Sequence, residues 1–214
     1  MADATRELPM FPLGSVLFPG MPLPLRVFEP RYVAMLSSVL GEEDPEFGVV
    51  LIERGSEVGG GDARFGFGTV ARIASVQVGD DLIVLLATGG ARFEVVRWLQ
   101  EDPFPRAEVR ELPPLPLEAA DVPALDEAEA LVRSTLARVS EFAELPWPPD
   151  VELSGEPAER LWQVAGIAPL GSLDQLALLR SGSAAALLAR LVEETQAADE
   201  RFTVGWSGDD DLPG

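Results

Sequence analysis

The sequence predicts an α+β protein, with strands in its first half and helices in its second. Runs rich in β-branched residues, separated by glycine and aspartate turns, fill residues 7–112. A proline-rich segment, LPPLPLEAADVP (112–123), follows and is the candidate domain boundary. Beyond it, apolar residues recur every three or four positions, which is the period of an amphipathic helix.

The predicted strands include FGVVLIE (47–53), TVARIASVQV (69–78), LIVLLAT (82–88), RFEVVRWL (92–99) and AEVREL (107–112). The continuous apolar run at 82–88 favours a central strand covered on both faces. Gly89-Gly90 predicts a tight hairpin connection to the next strand. A change of apolar phase near Ile73 indicates a β-bulge. Short antiparallel strands at this spacing predict a small barrel, and 107–112 closes it.

One helix interrupts the strands. Pro30 suits its first turn, where the missing N–H has no partner in any case, and Gly41 is expected to end it. The inward-facing positions predicted by helical spacing are Val33, Leu36, Val39 and Leu40.

The second half opens with a predicted helix at 124–143 and, after the proline break LPWPPD, a short helix at 159–167. The apolar face of the first helix comprises Leu125, Ala128, Val132, Leu136, Val139 and Phe142. Ser172 and Gln175 have the spacing of a capping box for a helix at 173–180.

The last helix is predicted over residues 184–201, and a small, acidic, disordered tail is expected to follow it. Its apolar stripe is Leu187, Leu188, Leu191, Val192 and Thr195. The expected organisation is a barrel subdomain (1–112), a connector (113–123), a helical subdomain (124–202) and the tail (203–214).

Composition excludes most chemistry. The chain carries 16 basic residues, all arginine, against 36 acidic ones, so its formal net charge is −20. That charge disfavours nucleic-acid binding, which depends on neutralising phosphates. Without His, Cys or Lys, the usual zinc ligands, thiolate nucleophiles, phosphate-binding lysines and Ser-His-Asp triads are all missing. Carboxylate chemistry, Tyr32, and a Ser or Thr activated by a carboxylate remain as alternatives. The favoured prediction is a protein without catalytic residues, cofactor or metal.

Two glycine motifs have alternative interpretations. GFGTVA (66–71) matches the letters of a dinucleotide fingerprint, but β-branched residues follow it instead of a helix, which favours a loop running into a strand. EVGGGDARFG (57–66) is either a surface loop or a ligand-contacting segment. Acidic clusters such as Glu42-Glu43-Asp44 are expected to be solvated surface.

No signal peptide is evident, and the apolar runs are far shorter than a membrane helix requires, so a cytoplasmic location and no membrane association are expected.

The stretch LFPGMPLPLRVFEPRY (17–32) combines prolines with apolar residues. In it Arg26, Glu29, Arg31 and Tyr32 flank Phe28. One interpretation is a recognition patch. The other, which we favour, is a strand end and helix cap held by an Arg–Glu pair.

ELPMFPLGSVLFPGMPLPLRVFEPRYVAML (7–36) resembles the opening of the Lon protease N-terminal, substrate-binding domain family. FGVVLIERGSEVGGGDARFGFGTVARI and GGARFEVVRWLQEDPFPRAEV are similar to stand-alone bacterial members, and GSLDQLALLRSGSAAALLARLVEE loosely resembles the family's closing helices. The resemblance implies a β pseudo-barrel related to the PUA fold, with one inserted helix, followed by a helical bundle. It also implies that Pro19-Gly20 and the PxP prolines shape the first crossover of the barrel.

The resemblance implies binding of unfolded or exposed polypeptide segments, with a separate protease or chaperone as a candidate partner. ATPase and protease activities are not expected, because the chain ends at Gly214 and lacks lysine; the sequence does not specify an oligomeric state. The alternative function is a small-molecule or nucleotide-sensing PUA-like domain. The candidate polypeptide-binding residues are Arg26, Phe28, Arg31, Tyr32, Arg64 and Phe65.

Overall fold

The structure, a computed structural model, describes residues 4–54, 63–80 and 82–206, with side chains up to 201. The chain divides into two compact units, Met1–Pro114 and Leu115–Gly214. The first contains a six-stranded sheet and one helix, and the second contains helices, so the α+β prediction is confirmed. The division after Pro114 lies within the proline-rich segment 112–123.

The first unit holds six strands and the helix α1. In chain order these elements are β1 (Thr5–Leu13), β2 (Pro22–Val27), α1 (Pro30–Val39), β3 (Glu46–Arg54), β4 (Ala63–Val78), β5 (Ile83–Trp98) and β6 (Arg106–Glu111).

Five of these strands close a barrel. The pairings run β1–β3, β3–β4, β4–β5, β5–β6 and β6–β1, and only β1–β3 is parallel. Closure pairs the strand edges that an open sheet would expose. The core inside consists of Leu8, Met10, Val50, Val70, Phe93, Ala107 and Val109, with Val95 packed against it.

The sixth strand, β2, pairs with the first half of the long strand β5, outside the closed barrel. A turn from Phe18 to Met21 leads into it, with the Met21 N–H donating to the Phe18 carbonyl at 3.2 Å. Pro19 and Gly20 occupy its centre, and Gly20 has a φ of 72°, as a type II turn requires. The PxP prolines lie in β2, which together with this turn forms part of the connection between the parallel strands β1 and β3.

Gly89-Gly90 does not form a hairpin, because β5 runs unbroken through both residues. A Cβ on Gly89 would lie 2.1 Å from the Phe18 carbonyl oxygen, so glycine is needed for close approach of the turn. The β5 residues at 82–88 are covered on one face only, since Leu85 and Ala87 are buried whereas Val84 and Leu86 are exposed. The predicted bulge is confirmed, with a register shift between Ile73 and Ser75.

Helix α1 begins at Pro30 as predicted. Its buried residues are Tyr32, Met35, Leu36 and Val39, a stripe rotated from the predicted one. Leu40 is exposed, and Gly41 lacks the left-handed conformation of a glycine C-cap, since Gly20 is the one positive-φ glycine in the described part of the chain.

The second unit starts with a 3₁₀ turn (Ala119–Asp121) and continues with four helices. They are α2 (Val122–Val139), α3 (Pro157–Ile167), α4 (Ser172–Leu179) and α5 (Ala184–Trp206). Helix α2 packs against α3 and α5, and α4 packs against α3 and α5. The predicted faces of α2 and α5 are buried except for Phe142, which lies beyond the end of α2 and is exposed, and Val192, which is half-buried.

Two predictions for this unit are wrong. Ser172 is the first residue of α4 and Gly171 is its N-cap, with no side-chain capping bond, so the predicted capping box does not form. Helix α5 extends to Trp206 and so includes four residues of the expected tail; residues 207–214 lie outside the described residues. No helix in the described ranges combines the length and apolar character needed to cross a bilayer.

Candidate functional site

Two arginines of the barrel unit converge on one carboxylate. Arg31, in the first turn of α1, places Nη1 3.4 Å from Oε1 of Glu101 and Nε 3.1 Å from Oε2 of Glu29. Arg64, near the start of β4, places Nη2 3.0 Å from Oε2 of Glu101. Each oxygen of the Glu101 carboxylate therefore faces a different guanidinium group.

Aromatic rings support both arginines. The Arg31 guanidinium lies 4.5 Å from the centroid of the Tyr32 ring, and that of Arg64 lies 5.2 Å from the Trp98 ring. Such cation–π contacts add to the ion pairs and fix the guanidinium planes. We call this group the Glu101 cluster; its members are Glu29, Arg31, Tyr32, Arg64, Trp98 and Glu101.

Tyr32 has a structural role in this arrangement. Its ring is buried and stacks on Phe11 with centroids 4.0 Å apart and planes 13° from parallel. The ring therefore offers no open surface to a ligand. Glu29 is the backbone N-cap of α1 but makes no side-chain capping bond; its carboxylate pairs with Arg31 instead. The Arg–Glu pair of the structural interpretation is thus present.

Arg26 and Phe28 lie beside a second feature, an exposed apolar surface centred on β5. The register places Pro24 opposite Leu86 and Arg26 opposite Val84. These four residues are all exposed, and alternation along each strand puts them on one face.

The same end of these strands carries two more exposed apolar residues. Val27 pairs with Ile83, and Ile83 pairs with Val78, whose side chain is 77% exposed. Phe28, directly after Val27, is 58% exposed. We call the surface formed by Pro24, Val84 and Leu86, together with Phe28 directly after β2, the β5 face. Val78 is not part of it, because Val78 pairs with Ile83, which alternates to the other face of β5. Neighbouring exposed apolar residues are typical of interaction sites, whereas single exposed apolar residues are not informative.

Two prolines remove hydrogen-bond donors from the edge of β2 that faces away from β5. Gly89 N–H donates to the Met21 carbonyl at 2.9 Å, so the odd-numbered residues of β2 face β5 in hydrogen-bonded positions. Pro22 and Pro24 then occupy positions whose N–H would point away from β5. Proline has no N–H, so this edge cannot donate there to an added strand.

The remaining predicted residues belong to β4. Phe65 is half-buried and directly follows Arg64. GFGTVA lies wholly within β4, so the strand is confirmed, the expected loop is not present at these residues, and the dinucleotide interpretation fails. A Cβ on Gly68 would lie 2.0 Å from the Val49 carbonyl oxygen, so this glycine serves packing. The glycine-rich segment at 57–62 lies outside the described residues.

Elsewhere on the barrel, arginine–carboxylate contacts are structural. The Glu108 carboxylate accepts hydrogen bonds from Thr5 Oγ1 and Arg97 Nε, both at 2.6 Å, and these bonds lower its pKa. Arg92 is buried, which lowers its pKa, and its Nη2 donates to the Pro113 carbonyl at 3.3 Å. The described acidic residues include no group of three or more placed to hold a metal ion.

Sequence reasoning missed Glu101, Trp98, Val84 and Leu86. Glu101 and Trp98 had no local signal, because their partners lie far away in the chain. Val84 and Leu86 lie in the predicted strand 82–88, but its continuous apolar run was interpreted as buried on both faces.

Comparison with known proteins places this barrel and its helices in a known group. The profile of the ATP-dependent protease La (LON) substrate-binding domain matches residues 7–197. Over 110 residues the chain is 39% identical to Lon protease 2 of Myxococcus xanthus, an alignment that covers 50% of this chain and 13% of that protein. The chain therefore matches only a small part of the length of this curated relative.

Solved structures extend the similarity across both units. The Lon N-terminal domain protein from Xanthomonas campestris is 28% identical, with a TM-score of 0.59 over 88% of this chain and 98% of that one. The N-terminal domain of the Mycobacterium avium complex Lon protease, at 17% identity and a TM-score of 0.62, covers 89% of this chain and 98% of its own; it shares the fold. The fold, the matched length and the sequence profile agree: the chain belongs to the family of LON substrate-binding domains.

Proposed function

We propose that the chain is a non-catalytic polypeptide-binding module that holds apolar segments of client polypeptides on the β5 face. The observation that carries the proposal is the exposure of Pro24, Val84 and Leu86 on one face of the paired strands β2 and β5, with exposed Phe28 directly after β2. Membership in a family of substrate-binding domains supports it.

The mode of capture follows from the strands that form this surface. A sheet holds an extended peptide either by backbone pairing at an edge or by side-chain contacts on a face. Pro22 and Pro24 remove donors from the free edge of β2, which disfavours pairing. A client is therefore expected to bind through side-chain contacts on the face. Such contacts select apolar side chains and do not require a particular backbone register.

The absence of catalysis follows from composition. With no His, Cys or Lys in its sequence, the chain has none of the usual nucleophile–base pairs. Binding without turnover therefore suits these residues, and an affinity of about micromolar is expected for a small apolar surface.

The test is fluorescence anisotropy of a labelled, permanently unfolded protein titrated with this chain at low and moderate salt. The test variant is Val84→Ser with Leu86→Ser. The matched control is Val96→Ser, an exposed valine on the second half of the same strand. Covering each half-exposed aliphatic side chain contributes about 1 kcal/mol, so the double variant should bind about tenfold more weakly or worse.

Saturable binding that withstands added salt and is lost in the double variant, but kept in Val96→Ser, supports capture on the β5 face. Equal affinities for the wild type and the double variant would place binding elsewhere. Absence of binding at tens of micromolar, about the weakest level expected here, would reject the function.

A further inference from the structure

We infer that the β5 face selects client segments in which apolar side chains lie between two acidic residues, and that Arg26 and Arg72 bind those acids. The inference rests on the proposed function, because the acidic residues would belong to a polypeptide held on that face. Its basis is the position of two exposed arginines, one at each end of the face, that have no carboxylate partner among the described residues.

The strand register places both arginines on the same side of the sheet as the apolar residues. Arg26 of β2 lies opposite Val84 of β5, and Arg72 of β4 lies opposite Thr88 of β5. Val84, Leu86 and Thr88 alternate along β5, so their side chains share one face, and the residues directly opposite them share it too. Arg26 and Arg72 therefore lie at opposite ends of the β5 face, on the two strands that flank β5.

The described structure gives neither arginine an acidic partner. Both are exposed, and within residues 4–54, 63–80 and 82–201 neither forms an ion pair or a side-chain hydrogen bond. Glu46 of β3 lies opposite Arg72, but its carboxylate pairs with Arg6 instead. Most other arginines in the strands of this unit do pair with a carboxylate; they are Arg6, Arg64, Arg97, Arg106 and Arg110. In a chain with 36 acidic and 16 basic residues, two exposed guanidinium groups without an acid on one face favour an acidic partner.

The length of β5 between the two arginines sets the spacing expected of the acids. The ideal Cβ position on Gly90 lies 3.4 Å from Nε of Arg72, so this guanidinium group lies beside Gly90 on β5. Val84, beside Arg26, is six residues before Gly90, a separation of about 20 Å along the strand. An extended client covers about the same distance between two acids six positions apart, and an even spacing turns both side chains to one side. The residues two and four positions after the first acid face the same side, where apolar side chains reach Leu86 and its neighbours.

Overall charge and local charge act differently on such a client. The net charge of −20 repels any acidic peptide at long range, but this repulsion is screened over about 8 Å at physiological ionic strength. An ion pair formed at an exposed arginine acts at contact distance and raises affinity by up to about fivefold. The face therefore discriminates between acidic clients by where their acids lie, and not by how many acids they carry.

The experiment compares labelled, C-terminally amidated heptapeptides by fluorescence anisotropy at physiological ionic strength. The test peptide, Glu-Ser-Leu-Ser-Leu-Ser-Glu, has its acids six positions apart. Its isomer, Ser-Leu-Ser-Leu-Ser-Glu-Glu, has the same composition and net charge, with both acids at one end. Two further peptides carry lysine in place of glutamate in these two arrangements.

Each peptide is titrated with the wild type, with Arg26→Gln, with Arg72→Gln, and with the double variant Arg26→Glu, Arg72→Glu. The matched control is Arg54→Gln, which removes an exposed arginine opposite Ala63, at the other end of β3 from Glu46. It changes the net charge by the same amount away from the β5 face. The labelled unfolded protein used to test capture is titrated in parallel.

The test peptide should bind the wild type about two- to fivefold more tightly than its isomer, because only the spaced acids reach both arginines. Arg26→Gln and Arg72→Gln should each bring that ratio close to one, and Arg54→Gln should leave it unchanged. In the glutamate double variant, the spaced lysine peptide should bind more tightly than its own isomer. Such a gain cannot result from misfolding, so the inference does not depend on the losses alone.

Equal binding of the test peptide and its isomer by the wild type would overturn the inference and leave polypeptide capture in place. A preference that Arg54→Gln reduces as much as Arg72→Gln does would also overturn it, since net charge would then explain the preference. If the unfolded protein binds but no heptapeptide does, the charge pattern is rejected and capture stands. If the unfolded protein does not bind either, both the inference and the proposed function are rejected.

Discussion

Replacement of Gly68 by alanine should destabilise the barrel unit strongly, whereas the same replacement at Gly66 should not. A Cβ on Gly68 would lie 2.0 Å from the Val49 carbonyl oxygen and 2.8 Å from Cζ of Phe93. Because one of these neighbours is backbone, β3 has to move away from β4, and the cost should reach about 3 kcal/mol or more. A Cβ on Gly66 would meet only Cβ of Val95, at 3.9 Å. There alanine should be neutral or stabilising by up to about 1 kcal/mol.

Thermal unfolding followed by circular dichroism measures the difference. For a unit of this size, 3 kcal/mol corresponds to a loss of more than about 10 °C in Tm. A Gly68→Ala chain recovered only as aggregate, beside a soluble Gly66→Ala chain, would support the same conclusion. Equal Tm values for the two variants would refute the packing argument and reopen a ligand role for GFGTVA.

Three other changes test separate contacts of the fold. Pro22→Thr combined with Pro24→Thr restores edge N–H groups, so sedimentation should reveal concentration-dependent self-association; an unchanged oligomeric state would contradict the edge assignment. Leu136→Ala should lower the unfolding free energy of the helical unit by about 2–5 kcal/mol, and Phe142→Ala by less than about 0.5, in urea denaturation. The folded-state pKa of Glu108 lies below its ordinary value of 4.5. The Glu108 carboxylate therefore stabilises the fold above pH 4.5, and this stabilisation is lost as the pH falls through the lowered pKa. Glu108→Gln should flatten that loss in acid-unfolding curves.

Local patterns predicted most of the barrel, because β-branched runs and turn residues act within a few positions. The bulge near Ile73 was visible as a change of apolar phase. Gly89 was misinterpreted because the contact that requires a glycine there comes from a distant part of the chain, the turn at Phe18. Periodicity cannot separate a glycine that turns the chain from one that admits a neighbour.

The helix stripes show a related limit. In α1 the apolar residues satisfy two neighbouring stripes, one through Val33 and Leu40 and one through Tyr32 and Met35. Both fit a 3.6-residue period, and only the surrounding strands select the second. Phe142 also fits the period of α2, but the helix ends at Val139 before reaching it.

The candidate site was predictable only where its contacts are local. Arg31 and Glu29 are two positions apart, and their pairing was expected from the sequence. Glu101 lies 70 positions from Arg31 and 37 from Arg64, so the cluster exists only once the barrel has closed. Its acidic member resembled any other surface carboxylate.

The composition makes an acidic partner for an arginine the expected case in this chain. With 36 acidic residues and 16 basic ones, all arginine, carboxylates outnumber guanidinium groups by more than two to one. Two carboxylates of the barrel are nevertheless held differently. Glu108 accepts hydrogen bonds from Thr5 and Arg97 at 2.6 Å, whereas Glu101 lies 3.0 and 3.4 Å from its two arginines, in the connection between β5 and β6. No local pattern in the sequence records this difference, because the arginine partners of both carboxylates lie on other elements of the barrel unit.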